Sequence, residues 1–203
     1  MTPSKPKIIG LTGGIACGKS HLSAALREHG AAVIDADAIS RALTAKNGPA
    51  LPLIRARFGD AVFEGNTLNR QKLGALIFAD AQARDTLNRI MHPLIFKEID
   101  AQIAAHADQI AVVVDLPLLY ETGFDTRCAE VWTAFVDEEE QTKRLMQRGL
   151  SAQEARQRIK SQMPAAEKAA RADHVIDTSG THEASKAAVI RLYEAFIRRY
   201  SFE

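Results

Sequence analysis

The chain has 203 residues, enough for one domain with a small inserted part, and its 46% hydrophobic and 25% charged residues are the balance of an ordinary water-soluble fold. A formal net charge of +1 removes any global reason to expect nucleic acid or an anionic membrane as partner, and neither is expected. Two cysteines, Cys17 and Cys128, are too few for a disulfide framework, so a reducing, cytoplasmic setting is expected.

In chain order, Met1 to Lys7 reads as a short polar tail. The apolar stretch that follows stops at Thr12, so neither a signal peptide nor a membrane span is expected there. The run Ile110 to Tyr120 is interrupted by Asp115 and is far short of the ~20 residues a spanning helix needs. Strands are predicted at Ile8 to Leu11, Ala32 to Ile34, Ala111 to Val114, Val131 to Val136 and, shorter, Val175-Ile176. These are continuous apolar runs rather than alternating ones, which suits a parallel sheet covered on both faces. Helical stretches separate them, so the class is α/β with right-handed crossovers.

Asp137-x-x-Glu140 and Ser151-x-x-Glu154 have the form of capping boxes that open helices. In the last helix Ala188, Val189, Leu192, Tyr193, Phe196 and Ile197 recur at helical spacing and should lie on the sheet. The long stretch from Asp35 to about Gln109 has no convincing strand. It is read as a helical insertion carrying substrate-binding surface.

Gly13-x-x-x-x-Gly18-Lys19-Ser20 follows a strand and opens a helix, the context in which this spacing holds a nucleotide triphosphate. Glycines let successive N–H groups curl around phosphate oxygens, and the helix that follows adds the positive end of its dipole. The loop Gly13, Gly14, Ile15, Ala16, Cys17, Gly18, Lys19, Ser20 and the adjoining His21 are therefore assigned to ATP. Lys19 would neutralise the β- and γ-phosphates, and Ser20 would offer its hydroxyl to Mg²⁺. Cys17 lies near a helix N-terminus, where thiol pKa values fall, yet the favoured reading is a small side chain whose sulfur plays no part.

Asp35-Ala36-Asp37 follows the second strand, where ligands of open parallel sheets gather. A carboxylate there can orient an acceptor hydroxyl and take its proton, or it can cap the helix beginning near Ala38; spacing alone does not choose. Asp115, ending the third strand, is a second candidate for Mg²⁺. The Leu116 after it, where hydrolytic ATPases carry a glutamate, favours transfer to a substrate. From Lys143 to Arg171 the charge is predominantly basic: Lys143, Arg144, Arg148, Arg156, Arg158, Lys160, Lys168 and Arg171 against Glu154 and Glu167. Most of these should form a solvated face. Arg144 and Arg148, one helical turn apart, are placed to close over ATP as a lid.

These residues carry a resemblance to dephospho-CoA kinases over nearly the whole chain, from about Lys7 to Tyr200. Its markers are Leu11-Thr12-Gly13-Gly14-Ile15, Val33-Ile34-Asp35-Ala36-Asp37, Leu68-Asn69-Arg70-x-x-Leu73 with Ile77-Phe78, and His92-Pro93-Leu94-Ile95. Asp115-x-Pro117-Leu118-Leu119-Tyr120-Glu121, Lys143-Arg144 to Arg148, and Ala172-Asp173-x-Val175-Ile176-Asp177 complete them. The resemblance implies a P-loop fold with a five-stranded parallel sheet (residues 7–37, 110–142 and 172–201), a helical CoA-binding insertion at about 38–109 and a lid at about 143–171. It implies transfer from ATP, with Mg²⁺, to the ribose 3′-hydroxyl of dephospho-CoA; a monomer is expected, although the sequence does not encode the oligomeric state. Asp37 would be the catalytic base, Arg144 would lie against adenine, and Arg148 would act at the phosphates. Arg70, His92 and Pro117 would contact substrate, although His92 could equally fix a helix start before Pro93.

The sequence departs from the family's usual loop at Ala16, Cys17 and His21, where Gly, Ser and Thr are usual. Ala16 must therefore tolerate backbone angles that glycine adopts easily. A different P-loop small-molecule kinase is the nearest alternative. A GTP-dependent switch would need an Asn-Lys-x-Asp motif that the chain lacks, and its Asp177-x-x-Gly180 falls in the wrong order.

Overall fold

The computed structural model describes residues 5–201, so the first four residues of the polar tail lie outside the described residues. Two compact units divide the chain: one runs to Ile34 and resumes at Ile103, and the other is Asp35–Gln102.

The first unit is built on five strands, β1 (Lys7–Gly13), β2 (Ala32–Asp35), β5 (Ala111–Asp115), β6 (Glu130–Phe135) and β7 (His174–Asp177), in the order β2-β5-β1-β6-β7. All five predicted strands are present. The pairs β1–β5, β1–β6 and β6–β7 are parallel, with Leu11 opposite both Asp115 and Trp132. Parallel pairing brings the ends of β1, β5, β6 and β7 to one edge of the sheet, where this class of fold binds ligands.

Alternate strand residues Ile9, Leu11, Ala111, Val113, Trp132 and Ala134 join Leu22 and Leu26 of α1 (Lys19–Glu28) in one buried cluster. The last helix, α9 (His182–Tyr200), adds Val189, Tyr193 and Phe196, with Ala188, Leu192 and Ile197 against them, as its spacing predicts. Each large apolar side chain so buried contributes about 1.5–3 kcal/mol. On the opposite face Gly10 leaves room that a Cβ would take from Leu119 and Cys128. At the other edge of the sheet Glu130 accepts from Trp132 Nε1 at 2.9 Å and pairs with Arg199, which ties the end of α9 to β6.

In the second unit lie α2 (Ala36–Leu43), α3 (Leu51–Phe58), α4 (Arg70–Ala79) and most of α5 (Ala81–Ala105). It is not wholly helical: β3 (Phe63–Glu64) and β4 (Thr67–Leu68) form a small antiparallel hairpin about Gly65-Asn66. Asn69 caps α4 by accepting from Lys72 N–H at 2.9 Å and also donates to Glu64 at 2.6 Å. The expectation of a helix start before Pro93 is corrected: α5 runs unbroken past it, and its opening turn is capped by Asp80 instead.

Beyond β6 come α6 (Glu138–Gln147), α7 (Ala152–Lys160) and α8 (Ala165–Arg171). Ser151 and Glu154 form a complete capping box. Asp137 caps α6, but its box is half made, because the Glu140 carboxylate turns to Arg144 at 2.9 Å and Lys143 at 3.2 Å. Both cations hold that carboxyl below its ordinary range, Arg144 contributing most.

Candidate active site

The segment Gly14 to Gly18 joins β1 to α1 at the ligand-binding edge of the sheet. Gly13 is required by the close approach of β6: a Cβ there would sit 2.8 Å from the Ala134 carbonyl. Gly18 has φ 79° and lies against Thr178, 3.2 Å from where a Cβ would be, so no other residue fits its left-handed turn comfortably.

Four successive loop carbonyls are held by donors of the protein itself. Gly14 O accepts from Cys17 N–H at 3.1 Å, Ile15 O from Gln141 Nε2 at 2.7 Å, Ala16 O from Arg144 Nη1 at 3.3 Å, and Cys17 O from Thr178 Oγ1 at 2.8 Å. The N–H groups of Ile15, Ala16, Gly18, Lys19 and Ser20 have no such acceptor among the described residues. Carbonyls committed to the protein and N–H groups left for something else make an anion cradle.

Ala16 does adopt the glycine-like conformation, with φ 61°. A residue with a Cβ loses roughly 1–2 kcal/mol there. Part of that is recovered because its methyl is buried with Leu145, Ala155 and Ile159 of α6 and α7, beside Ile15. His21, the third departure, turns to α9: its Nε2 lies 2.9 Å from His182 O and its ring stacks on His182 at 4.3 Å.

Cys17 is fully buried in the sheet cluster, and burial pushes its thiol pKa up, more than offsetting the contacts that would lower it. Burial likewise raises the thiol of Cys128, to about 12. Neither thiol should react with a disulfide reagent near neutral pH while the chain is folded, and both should react on unfolding. A thiol that titrates rapidly in the native protein would contradict this.

Lys19 forms an ion pair with Asp115, whose second oxygen accepts from Ser23 Oγ. Asp115 is buried, so this pairing is what makes its charge tolerable there. Ser20 is exposed in the first turn of α1. Among the described residues no group of three or more His, Cys, Asp or Glu could close around a metal. Ser20 and Asp115 nevertheless supply the hard oxygens that Mg²⁺ takes while it keeps waters and phosphate ligands, so the donor set fits that ion.

Arg144 holds Glu140 through Nε and the Thr178 carbonyl through Nη2 at 2.6 Å, besides Ala16. Arg148 follows the end of α6 and is exposed. Pro117 O is taken up by Thr12 Oγ1 at 3.1 Å and by Lys168 Nζ at 2.6 Å.

Most of the basic run is exposed, as a solvated face requires, and Lys168 is the exception. Lys168 on α8 is fully buried and pairs with Glu121 at 2.9 Å; burial depresses its pKa, partly offset by Glu121. The signal for it was local, since Ala165, Ala166, Ala169 and Ala170 let α8 approach closely. Lys168→Ala should destabilise the fold by about 2–3 kcal/mol, because the buried lysine chain leaves a cavity and the Pro117 carbonyl loses a donor. Adding Glu121→Gln should cost clearly less than the sum of the single changes in a denaturant cycle. Additive effects would show that the two groups do not interact.

In the second unit Asp35, the last residue of β2, caps α2: its Oδ1 accepts from Ala38 N–H at 2.9 Å. Asp37 lies in the first turn of that helix and is exposed. Arg70 opens α4 and donates to Arg41 O at 3.1 Å. His92 is half-buried within α5, 6.0 Å from the Phe96 ring, and burial lowers its pKa. Gln141, Thr178 and Lys168 are the polar residues near the loop that sequence reasoning missed.

No helix among the described residues is long and apolar enough to cross a membrane. Comparison with known proteins agrees with the loop chemistry. The family model described as dephospho-CoA kinase matches residues 7–184. A dephospho-CoA kinase of Symbiobacterium thermophilum is 47% identical over 93% of this chain and 81% of its own length. A solved structure from Thermus thermophilus superposes with a TM-score of 0.81 at 32% identity, covering 94% of this chain and 98% of the other. The dephospho-CoA kinase of Campylobacter jejuni gives a TM-score of 0.64 at 25% identity, covering 95% and 98%. The chain thus belongs to the dephospho-CoA kinase family, P-loop kinases that use ATP to phosphorylate dephospho-CoA in the last step of coenzyme A biosynthesis.

Proposed function

We propose that the γ-phosphoryl group of ATP passes to the ribose 3′-hydroxyl of dephospho-CoA with Asp37 as the base and the loop Gly13 to Ser20 as the triphosphate cradle. The observation that carries this is the arrangement of three successive loop carbonyls, those of Ile15, Ala16 and Cys17, held by side chains of the protein, with Lys19 beside them. Asp37 accepts the hydroxyl proton as the oxygen attacks phosphorus, and the bond to the bridging oxygen of ADP breaks. The base role goes to Asp37 because Asp35 is committed to capping α2.

Lys19 exchanges Asp115 for phosphate oxygens when ATP binds, and Arg148 adds its charge to the transferring group. Bound Mg²⁺ would be held by Ser20 and Asp115, and it would supply charge neutralisation at the β- and γ-phosphates. Arg144, whose guanidinium edge is engaged by Ala16, Thr178 and Glu140, keeps its flat face for adenine. Arg70, His92 and Pro117 are assigned to dephospho-CoA. We place the enzyme in the cytoplasm as a monomer, with a CoA-binding insertion at about 38–109 and a lid at about 143–171.

ADP release measured with dephospho-CoA beside a panel of nucleoside monophosphates tests the acceptor. Turnover should be confined to dephospho-CoA. ADP formed only with a nucleoside monophosphate would overturn the reading.

A further inference from the structure

The three carbonyls Ile15, Ala16 and Cys17 are held by side chains from two separate places. Gln141 and Arg144 sit three residues apart on α6, the helix that leads into α7, and Thr178 follows β7. Gln141 and Thr178 are both buried, and neither has an evident task in a packed core other than these bonds. Gly14 makes Gln141's reach possible, since a Cβ there would lie 2.7 Å from Gln141 Nε2 and 3.0 Å from Ala165. Thr178 has a single hydroxyl proton, directed to Cys17 O at 2.8 Å or Phe135 O at 3.3 Å, and its oxygen lies 3.5 Å from Arg144 Nη1.

We infer that Gln141 and Thr178 are positioning residues for ATP, holding the carbonyls of Ile15 and Cys17 away from the cradle so that the neighbouring N–H groups face the phosphates. A peptide unit is planar, so fixing its carbonyl fixes the direction of the N–H that follows it. Gln141 thus aims the N–H of Ala16 and Thr178 that of Gly18, while the N–H beyond the carbonyl that Arg144 holds, that of Cys17, is taken up by Gly14 O. Without these bonds the loop could turn a carbonyl toward the triphosphate, where its negative end would repel phosphate oxygens. Arg144 has a further part in the proposed adenine contact, so Gln141 and Thr178 are the residues that isolate the effect.

The inference rests on the loop being the triphosphate site, and one set of variants separates the two claims. ATP affinity is measured by calorimetry on the full chain, with KM for both substrates and the unfolding midpoint of each protein without ligand. In the wild type ATP should bind, and Lys19→Ala should weaken it; failure of both would refute the site itself. Gln141→Met and Thr178→Val keep size and remove the donor. Each should weaken ATP about tenfold, the scale of one hydrogen bond, with KM for dephospho-CoA unchanged. Thr178→Ser restores the hydroxyl and should recover most of the affinity, which a purely structural role for the methyl would not produce. Should Gln141→Met fail to fold, the Thr178→Val and Thr178→Ser pair decides. Wild-type ATP affinity in a folded Thr178→Val, or equal losses for Val and Ser, would overturn the inference.

Discussion

Replacing Lys19 with alanine is expected to lower kcat by about 10²–10³-fold, the loss typical when one preorganised charge or donor is taken from a developing anion. Lys19 is the cation of the loop and pairs with Asp115. ATP binding would replace that partner by phosphate oxygens, so the lysine charge is present in the ground state and bears more on the transition state as charge builds. The change has a second consequence. Asp115 is buried and would keep only Ser23 of its two side-chain partners, so its carboxylate would lose its compensating cation. Unfolding midpoints must therefore accompany the rates. A folded Lys19→Ala enzyme with near-normal kcat would remove the lysine from the chemistry.

Asp37→Asn should lower kcat by at least ~10²-fold, the lower end for lost general-base catalysis, with ATP affinity largely kept. Asparagine has nearly the same shape and can still accept a hydrogen bond from the hydroxyl. It cannot take the proton. Asp35→Ala, by contrast, removes the residue that caps α2, and loss of a cap costs about 1 kcal/mol of stability rather than rate. The comparison is informative because the two acids are two residues apart and chemically alike. Equal kcat losses in both variants would mean that the helix start, and not one carboxylate, is what matters.

The contrast between Asp35 and Asp37 also shows where sequence reasoning stops. In the sequence both acids fall between a strand and a helix; in the structure Asp35 ends β2 and caps α2 through Ala38 N–H, and Asp37 lies in the first turn of α2. The strands were legible because a parallel sheet covered on both faces needs uninterrupted apolar runs, as Val112, Val113 and Val114 show. The hairpin at Gly65-Asn66 escaped because strands of two residues carry no period, although that turn pair was a usable signal. Pro93 misled because proline favours a first helical turn, whereas here α5 accommodates it internally.

The loop itself was legible from glycine, lysine and serine at fixed spacing. What holds it was not. Gln141 lies one residue past an apparent capping box, and Thr178 follows an ordinary strand. Their roles depend on contacts across sequence separations of 126 and 161 residues, which no local pattern encodes. Lys168 was less hidden: it is one cation in a basic run, but the alanines around it were a local signal, and only its partner Glu121 is distant.

The most direct test is a structure of the chain with a non-hydrolysable ATP analogue and dephospho-CoA bound together. The account predicts the triphosphate against the N–H groups of Ile15, Ala16, Gly18, Lys19 and Ser20, and the ribose 3′-hydroxyl within about 2.6–3.2 Å of the Asp37 carboxylate. A 3′-hydroxyl directed at another side chain, with Asp37 turned to solvent, would contradict it.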